Sequence, residues 1–246
     1  MQTHVVLERK GDIAYLTFSC DQPGKPPTID YVVLDELEQR LSEITSVAAD
    51  LRVVIVQSDS PTYFIVGANI RALQTLDAAT IVPWIERGHA VFNHLEAIPI
   101  PVVARVEGYA LGGGLELAMA CDLIIASRTA TFGQPEARLG LVAGWGGTSR
   151  LPRRVGMAKA KEMLFTGKAL DAETAYALGL VAFVGDEAEV QAYLDAFIAD
   201  LRSCSWLAVA KMKELVNGSL AKSLGQACHS EAIASSACLA SEDTKA

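Results

Sequence analysis

The chain has 246 residues, 51% of them hydrophobic and 20% charged, which is ample apolar material for a sizeable core and too apolar for a disordered chain. At ~150 residues per domain, this length suits one main α/β body with an appendage. With 21 Lys+Arg against 29 Asp+Glu the formal charge is −8, which disfavours generic polyanion binding, because phosphate backbones are held mainly by Lys and Arg.

The chain opens MQTHVVLERKG, without a basic region followed by an apolar one, so no secretory signal is expected. No run approaches the ~18 apolar residues of a membrane span; the nearest, Ile98 to Ala104, is broken by Pro99 and Pro101. Cys20, Cys121, Cys204, Cys228 and Cys238 are an odd, scattered set without a CxxC pair, which reads as reduced thiols in a cytoplasmic protein. His4, His89, His94 and His229 show no metal-ligand spacing and read as surface or core histidines.

In chain order, Val5 to Leu7 and Ile13 to Phe18 alternate around Gly11-Asp12 and predict a hairpin. Asp21 to Pro27 is a Pro- and Gly-rich loop. Val32 to Ile44 carries apolar residues at 33, 34, 37, 41 and 44, a helical period. Arg52 to Gln57 is a short apolar run of buried-strand type, and Ser58 to Tyr63 is polar loop. Phe64-Ile65-Val66 then turns through Gly67 into a helix for which Asn69 is a natural N-cap. A helix is predicted from Ile81 to Leu95 and a strand from Pro101 to Val106. Gly108 to Gly114 reads as a glycine loop and Leu115 to Cys121 as a helix. Leu123 to Ala126 reads as a third strand and Ala130 to Phe132 as a fourth. Several helices follow Gly144-Trp145-Gly146-Gly147, and the chain is helical throughout from about Glu187. Alternation followed by helices alone predicts an α/β core with a helical C-terminal region.

Three stretches carry chemical possibilities. Gly112-Gly113-Gly114 precedes a helix start, where unpartnered N–H groups and the helix dipole can hold an anion or a developing oxyanion. It does not complete GxGxxG, because Leu117 stands where the third Gly belongs, and no GxxxxGK[ST] exists. Glu116 and Glu136 form a candidate carboxylate pair, and two carboxylates whose pKa values are pushed apart can divide acid and base work. Each also suits the first turn of an ordinary helix, and sequence spacing does not decide whether they meet. In Phe64 to Arg71, the Ala68 N–H is a candidate second donor facing the same anion as Gly113.

Taken together, Gly108 to Ala118 and Phe132-Gly-Gln-Pro-Glu136 resemble the two signature segments of the crotonase (enoyl-CoA hydratase/isomerase) superfamily. Leu139 to Pro152, Thr166 to Leu170 and Gly179 to Val181 continue the likeness. The Asp21 loop and Phe64-Ile-Val-Gly-Ala68 resemble the hydratase part of multifunctional fatty-acid oxidation subunits. The resemblance implies an α/β fold, the crotonase (ClpP-like) spiral of ββα units. Residues 1–186 would form the core, and 187–246 a helical trimerisation region, giving a homotrimer or dimer of trimers. It implies an acyl-CoA substrate, no further cofactor, no metal, and neither nucleic acid nor membrane as partner. By matching position, Ala68 and Gly113 become the oxyanion donors and Glu116 and Glu136 the catalytic pair, with Glu116 taking the water proton and Glu136 serving the α-carbon. Gly67, Gly112, Gly144 and Trp145 fall at substrate-contacting positions. Arg71 falls near the CoA phosphates, with a solvated surface arginine as the alternative.

Retention of both glutamates points to hydration of a 2-enoyl-CoA over double-bond isomerisation or thioester hydrolysis. A scaffold role would call for a basic face, and only the modest stretch Arg150, Arg153, Arg154, Lys159, Lys161 is present. Asn69, Val66, Ala143 and Trp145 depart from the residues the family usually carries, the last two beside the glycine turn. Ile81, Val82, Trp84 and Ile85 are expected to border a short-to-medium linear acyl tail.

Overall fold

The computed structural model describes residues 2–244; Met1 of the expected core and Lys245 and Ala246 of the expected C-terminal region lie outside them. The predicted hairpin is β1 (Thr3–Lys10) and β2 (Ile13–Cys20), paired antiparallel. Helix α1 (Tyr31–Ser46) buries Val33, Leu34, Leu37, Leu41 and Ile44, the five positions of its apolar period. Asp30 caps it by accepting from Val33 N at 3.1 Å.

Three successive units then follow: β3 (Val53–Ser58) and β4 (Tyr63–Ile65) with α2 (Ile70–Leu73) and α3 (Ile81–Ala97); β5 (Val102–Val106) and β6 (Tyr109–Leu111) with α4 (Gly113–Ala120); β7 (Leu123–Ser127) and β8 (Thr131–Gly133) with α5 (Gly147–Val155) and α6 (Met157–Thr166). The chain continues through β9 (Leu170–Asp171), α7 (Ala172–Ala177) and β10 (Phe183–Gly185) to α8 (Glu187–Arg202), α9 (Trp206–Ser219) and α10 (Leu224–Leu239). The strands build a six-stranded sheet, β1-β2-β3-β5-β7-β10, and a four-stranded sheet, β4-β6-β8-β9. Each unit gives its first strand to the larger sheet and its second to the smaller, so the chain spirals between them. All pairings are parallel except β1–β2 and β8–β9.

The continuous apolar runs of β3, β5 and β7 are explained by burial on both faces. Val54, Val56, Val102, Ala104, Ile124 and Ala126 face the main core with α1, α3 and α4. The alternate residues Val53, Ile55, Val103 and Ile125 pack against Val190, Leu194 and Ile198 of α8.

Short strands are where structure and expectation part. Gly108 to Gly114, read as loop, contains β6, and the segment expected to be helical after Gly147 also contains β9 and β10. These strands have two or three residues each and exist only through pairing with distant partners, so no local period announces them. Helix α4 also begins two residues earlier than expected, at Gly113 itself.

Candidate active site

The smaller sheet assembles the site. β4, β6 and β8 lie side by side and parallel, and each releases functional groups from its C-terminal end: Gly67 and Ala68 after β4, Gly112 to Glu116 after β6, Glu136 after β8. A bridge at Ile29 orients the first. Ile29 N donates to Gly67 O at 2.9 Å and Asn69 N donates to Ile29 O at 2.7 Å. In such a parallel bridge the central residue turns its own N–H to the opposite side, here towards α4. Gly67 has φ +96°, a left-handed conformation open to glycine. Asn69 caps α2 as expected, accepting from Arg71 N at 3.0 Å and Ala72 N at 3.4 Å.

The second donor comes from α4. Gly112, at φ +53°, donates to Gly133 O at 2.9 Å and turns the chain so that Gly113 starts the helix without an intrahelical partner for its N–H. A Cβ built on Gly113 would stand 3.6 Å from Ala68 N, and one on Gly67 3.5 Å from Gly113 N. The two candidate donors thus meet across a gap that side chains would close.

Glu116 lies one turn into α4 and is 2% exposed. Its Oε1 accepts from Trp145 N at 2.8 Å and Gly147 N at 2.7 Å. Burial pushes its carboxyl up to about 8; the Gly147 bond opposes that shift, and the nearby charge of Glu136 adds to it. Glu136 opens a single 3-10 turn after Pro135 and is half-buried, and burial raises its pKa too. With its amide oriented to satisfy its neighbours, the buried Gln134 donates Nε2–H to both Glu136 oxygens at 3.0 Å. A Cβ on Gly112 would stand 2.7 Å from Glu136 Oε1, so the carboxylate lies directly over the glycine turn.

The glycine-rich turn that holds Glu116 is itself held by Arg150. Its Nη1 donates to Trp145 O at 3.1 Å, while Nη2 donates to Asn93 Oδ1 at 2.8 Å and Glu96 Oε2 at 2.6 Å on α3. Arg154 is spent on the carbonyls of Met119 and Cys121. Two members of the basic stretch are therefore bonded inward and do not form a surface face.

Ala68, Gly113, Glu116, Glu136, Gly67, Gly112, Gly144 and Trp145 all line one cavity of about 630 Å³. Arg71 does not; it is exposed on α2, whose Ile70 and Leu73 form part of the wall. Ile81, Trp84 and Ile85 line the cavity as expected, but Val82 is 54% exposed and does not. The helical period explains this correction: Ile81 and Ile85 are four apart on one face, and Val82 is turned away from it. The same period carries His89, read as a surface or core residue, onto the cavity wall, where Thr148 and Ser149 join it unforeseen.

Two converging N–H groups, two flanking carboxylates and an apolar cavity define a class of site. It stabilises charge growing on a carbonyl oxygen while protons move at neighbouring carbons. Residues 8–246 match the enoyl-CoA hydratase/isomerase family, and the chain belongs to that family. It is 34% identical over 244 residues to a crotonyl-CoA hydratase of Syntrophomonas wolfei, covering 98% of this chain and 92% of that one. It is 45% identical over 157 residues to a fatty acid oxidation complex subunit alpha of Idiomarina loihiensis, covering 62% of this chain and 22% of the longer protein. The solved enoyl-CoA hydratase of Bacillus anthracis superposes with a TM-score of 0.90 at 27% identity, covering 98% of this chain and 93% of that one.

Proposed function

We propose that the protein is an enoyl-CoA hydratase, adding water across the 2,3 double bond of a 2-enoyl-CoA to give 3-hydroxyacyl-CoA. The observation that carries this reading is the presence of both Glu116 and Glu136 on the wall of a cavity that also holds the Ala68 and Gly113 N–H groups. As water oxygen bonds to the β-carbon, the thioester becomes enolate-like and negative charge grows on its oxygen. The two N–H groups bind that charge, with the positive end of α4 behind Gly113. Glu116 takes the water proton; its Oε1 is fixed by two N–H bonds, leaving Oε2 for the transfer. Glu136 delivers a proton to the α-carbon. Burial raises both carboxyls, and the charge of Glu136 raises Glu116 further. The division of labour needs Glu116 ionised and Glu136 protonated, and the Gly147 and Trp145 N–H bonds and the Arg150 charge favour the ionised form of Glu116 against its burial. The scheme draws on no cofactor beyond the CoA of the substrate.

Arg71, exposed beside the cavity wall, is the candidate contact for the CoA phosphates. Residues 187–246 are proposed to serve assembly into a homotrimer or dimer of trimers. In support, Val216, Leu220, Leu224, Ile233 and Leu239 of this region are each at least 60% exposed, an apolar face suited to a second copy. Among the described residues no helix is long and apolar enough to cross a membrane, and the scattered cysteines favour a cytoplasmic setting.

Incubation with crotonyl-CoA tests the reaction. 3-Hydroxybutyryl-CoA is the expected product; conversion only of a 3-enoyl-CoA to its 2-enoyl isomer, or release of free CoA, would replace hydration with one of the other reactions. Light scattering at micromolar concentration tests assembly, and a monomer would reject it.

A further inference from the structure

Trp145 fills more of the cavity than its backbone bond to Glu116 requires. Any residue with an N–H could make that bond. The side chain, 2% exposed, forms part of the cavity wall. Two glycines make room for it. A Cβ on Gly88 of α3 would stand 2.2 Å from the indole Nε1, and one on Gly113 2.6 Å from Cε3 and Cζ3. Trp84 leans on the indole with ring centroids 5.1 Å apart, and Phe92 meets it edge-on at 5.6 Å. The indole N–H is buried without a hydrogen-bond partner. An unpaired buried donor is costly, so the side chain is kept there for its volume.

That volume sits where an acyl chain would run. The ring touches Gly113, one of the two donors proposed for the thioester oxygen, so it lies close to the reacting carbons. Inward from them the cavity would continue between α3 and the start of α4. There the two indoles meet and close it; Gly88 and Phe92 lie beyond. We infer that Trp145 is a specificity-determining residue that, with Trp84, closes the inner end of the cavity and restricts the enzyme to short linear enoyl thioesters. This rests on the acyl-CoA reading of the site.

The test is a chain-length series, crotonyl-, hexenoyl- and decenoyl-CoA, on the wild type, Trp145→Ala and the double variant Gly88→Leu/Trp145→Ala. Calorimetry with butanoyl- and decanoyl-CoA runs alongside and reads the tail without turnover. A methylene that does not fit a hydrophobic pocket costs about 10-fold or more. The wild type should therefore lose at least about 10-fold in kcat/KM from crotonyl to decenoyl. Trp145→Ala should raise the decenoyl-to-crotonyl ratio by about 10-fold or more, and leucine at 88, filling the same space from α3, should lower it again. Should Trp145→Ala fail to fold, Trp145→Leu and Trp145→Phe carry the comparison with smaller shifts in the same direction. A wild type that handles decenoyl as well as crotonyl overturns the inference. So does an unchanged ratio in a folded variant, which would send the tail over the exposed Leu139 to Val142 lip. If the wild type turns over no enoyl-CoA but binds butanoyl- over decanoyl-CoA, and loses that preference in Trp145→Ala, the hydratase reading falls and this inference stands. If no acyl-CoA binds, both fall.

Discussion

Replacing Glu116 with glutamine should sharply lower activity and strengthen the fold, and the gain should grow with pH. The carboxyl's ordinary value is 4.5 and burial carries it to about 8. Between those pH values the unfolded chain has released the proton and the folded chain still binds it. The folded state is therefore favoured in full below about 4.5, and the advantage drains away as pH rises to about 8, where it levels off. At ~1.36 kcal/mol per pH unit, an interval of that width is worth about 5 kcal/mol. Glutamine keeps an oxygen for the Trp145 and Gly147 N–H groups and has nothing to ionise, so Glu116→Gln escapes this loss. For a chain of this size each kcal/mol moves Tm by ~2–4 °C. Thermal unfolding of both proteins at pH 5 and pH 8.5 should show a Tm difference that widens by about 10 °C at the higher pH, while kcat falls about 10²–10⁴-fold. Parallel pH dependence of the two proteins would refute the claim that Glu116 is buried at a cost. Near wild-type turnover would remove it from the chemistry.

Three further perturbations probe the surrounding parts. Gly112→Ala forces a side chain into a left-handed conformation and against Glu136 Oε1; it should destabilise by ~1–2 kcal/mol and lower kcat more than it raises KM, read by denaturation and steady-state kinetics. Arg150→Met frees the Trp145 carbonyl and removes a positive charge that favours the ionised Glu116. kcat should drop by about 10-fold or more, its acidic limb should move to higher pH, and Arg150→Lys should recover part of both; a lower Tm with an unmoved limb would make Arg150 structural only. Asn69→Ala removes the α2 cap and should cost ~1 kcal/mol, with a raised KM because the capped turn aims the Ala68 N–H, checked by thermal denaturation and kinetics.

Legibility followed the range of the forces involved. The buried face of helix α1 was readable to the residue because Val33, Leu34, Leu37, Leu41 and Ile44 state a period within one segment, while its ends run one residue earlier and two later than the period alone gives. β3, β5 and β7 were readable because burial on both faces leaves an unbroken apolar run. β6, β9 and β10 were not, since nothing local distinguishes Tyr109-Ala-Leu111 from a loop until β4 and β8 flank it. The site divides the same way. The glycine helix start, the Asn69 cap and the two glutamates were visible as residues; their meeting depends on strand order. The packing of Trp145 into the space at Gly88 joins positions 57 residues apart in sequence, and no periodicity links them. His89 could have been found by extending the Ile81–Ile85 face one turn further.

Because oxyanion donors and carboxylates leave from three adjacent parallel strands, the spacing among them is set by a ruler made of backbone. Neighbouring strands stand ~4.8 Å apart whatever their side chains, and Tyr109↔Thr131 and Leu111↔Gly133 lock β6 to β8 without slack. A slip of one residue in that register would carry Glu136 along by ~3.3 Å and reverse the face on which β8 presents its side chains. The ruler also tolerates editing at its ends. A residue replaced outside the strands, as Val66 just past β4 and Trp145 in the turn before α5 are placed, can reshape what enters the cavity while the distances that govern proton transfer stay where the sheet put them.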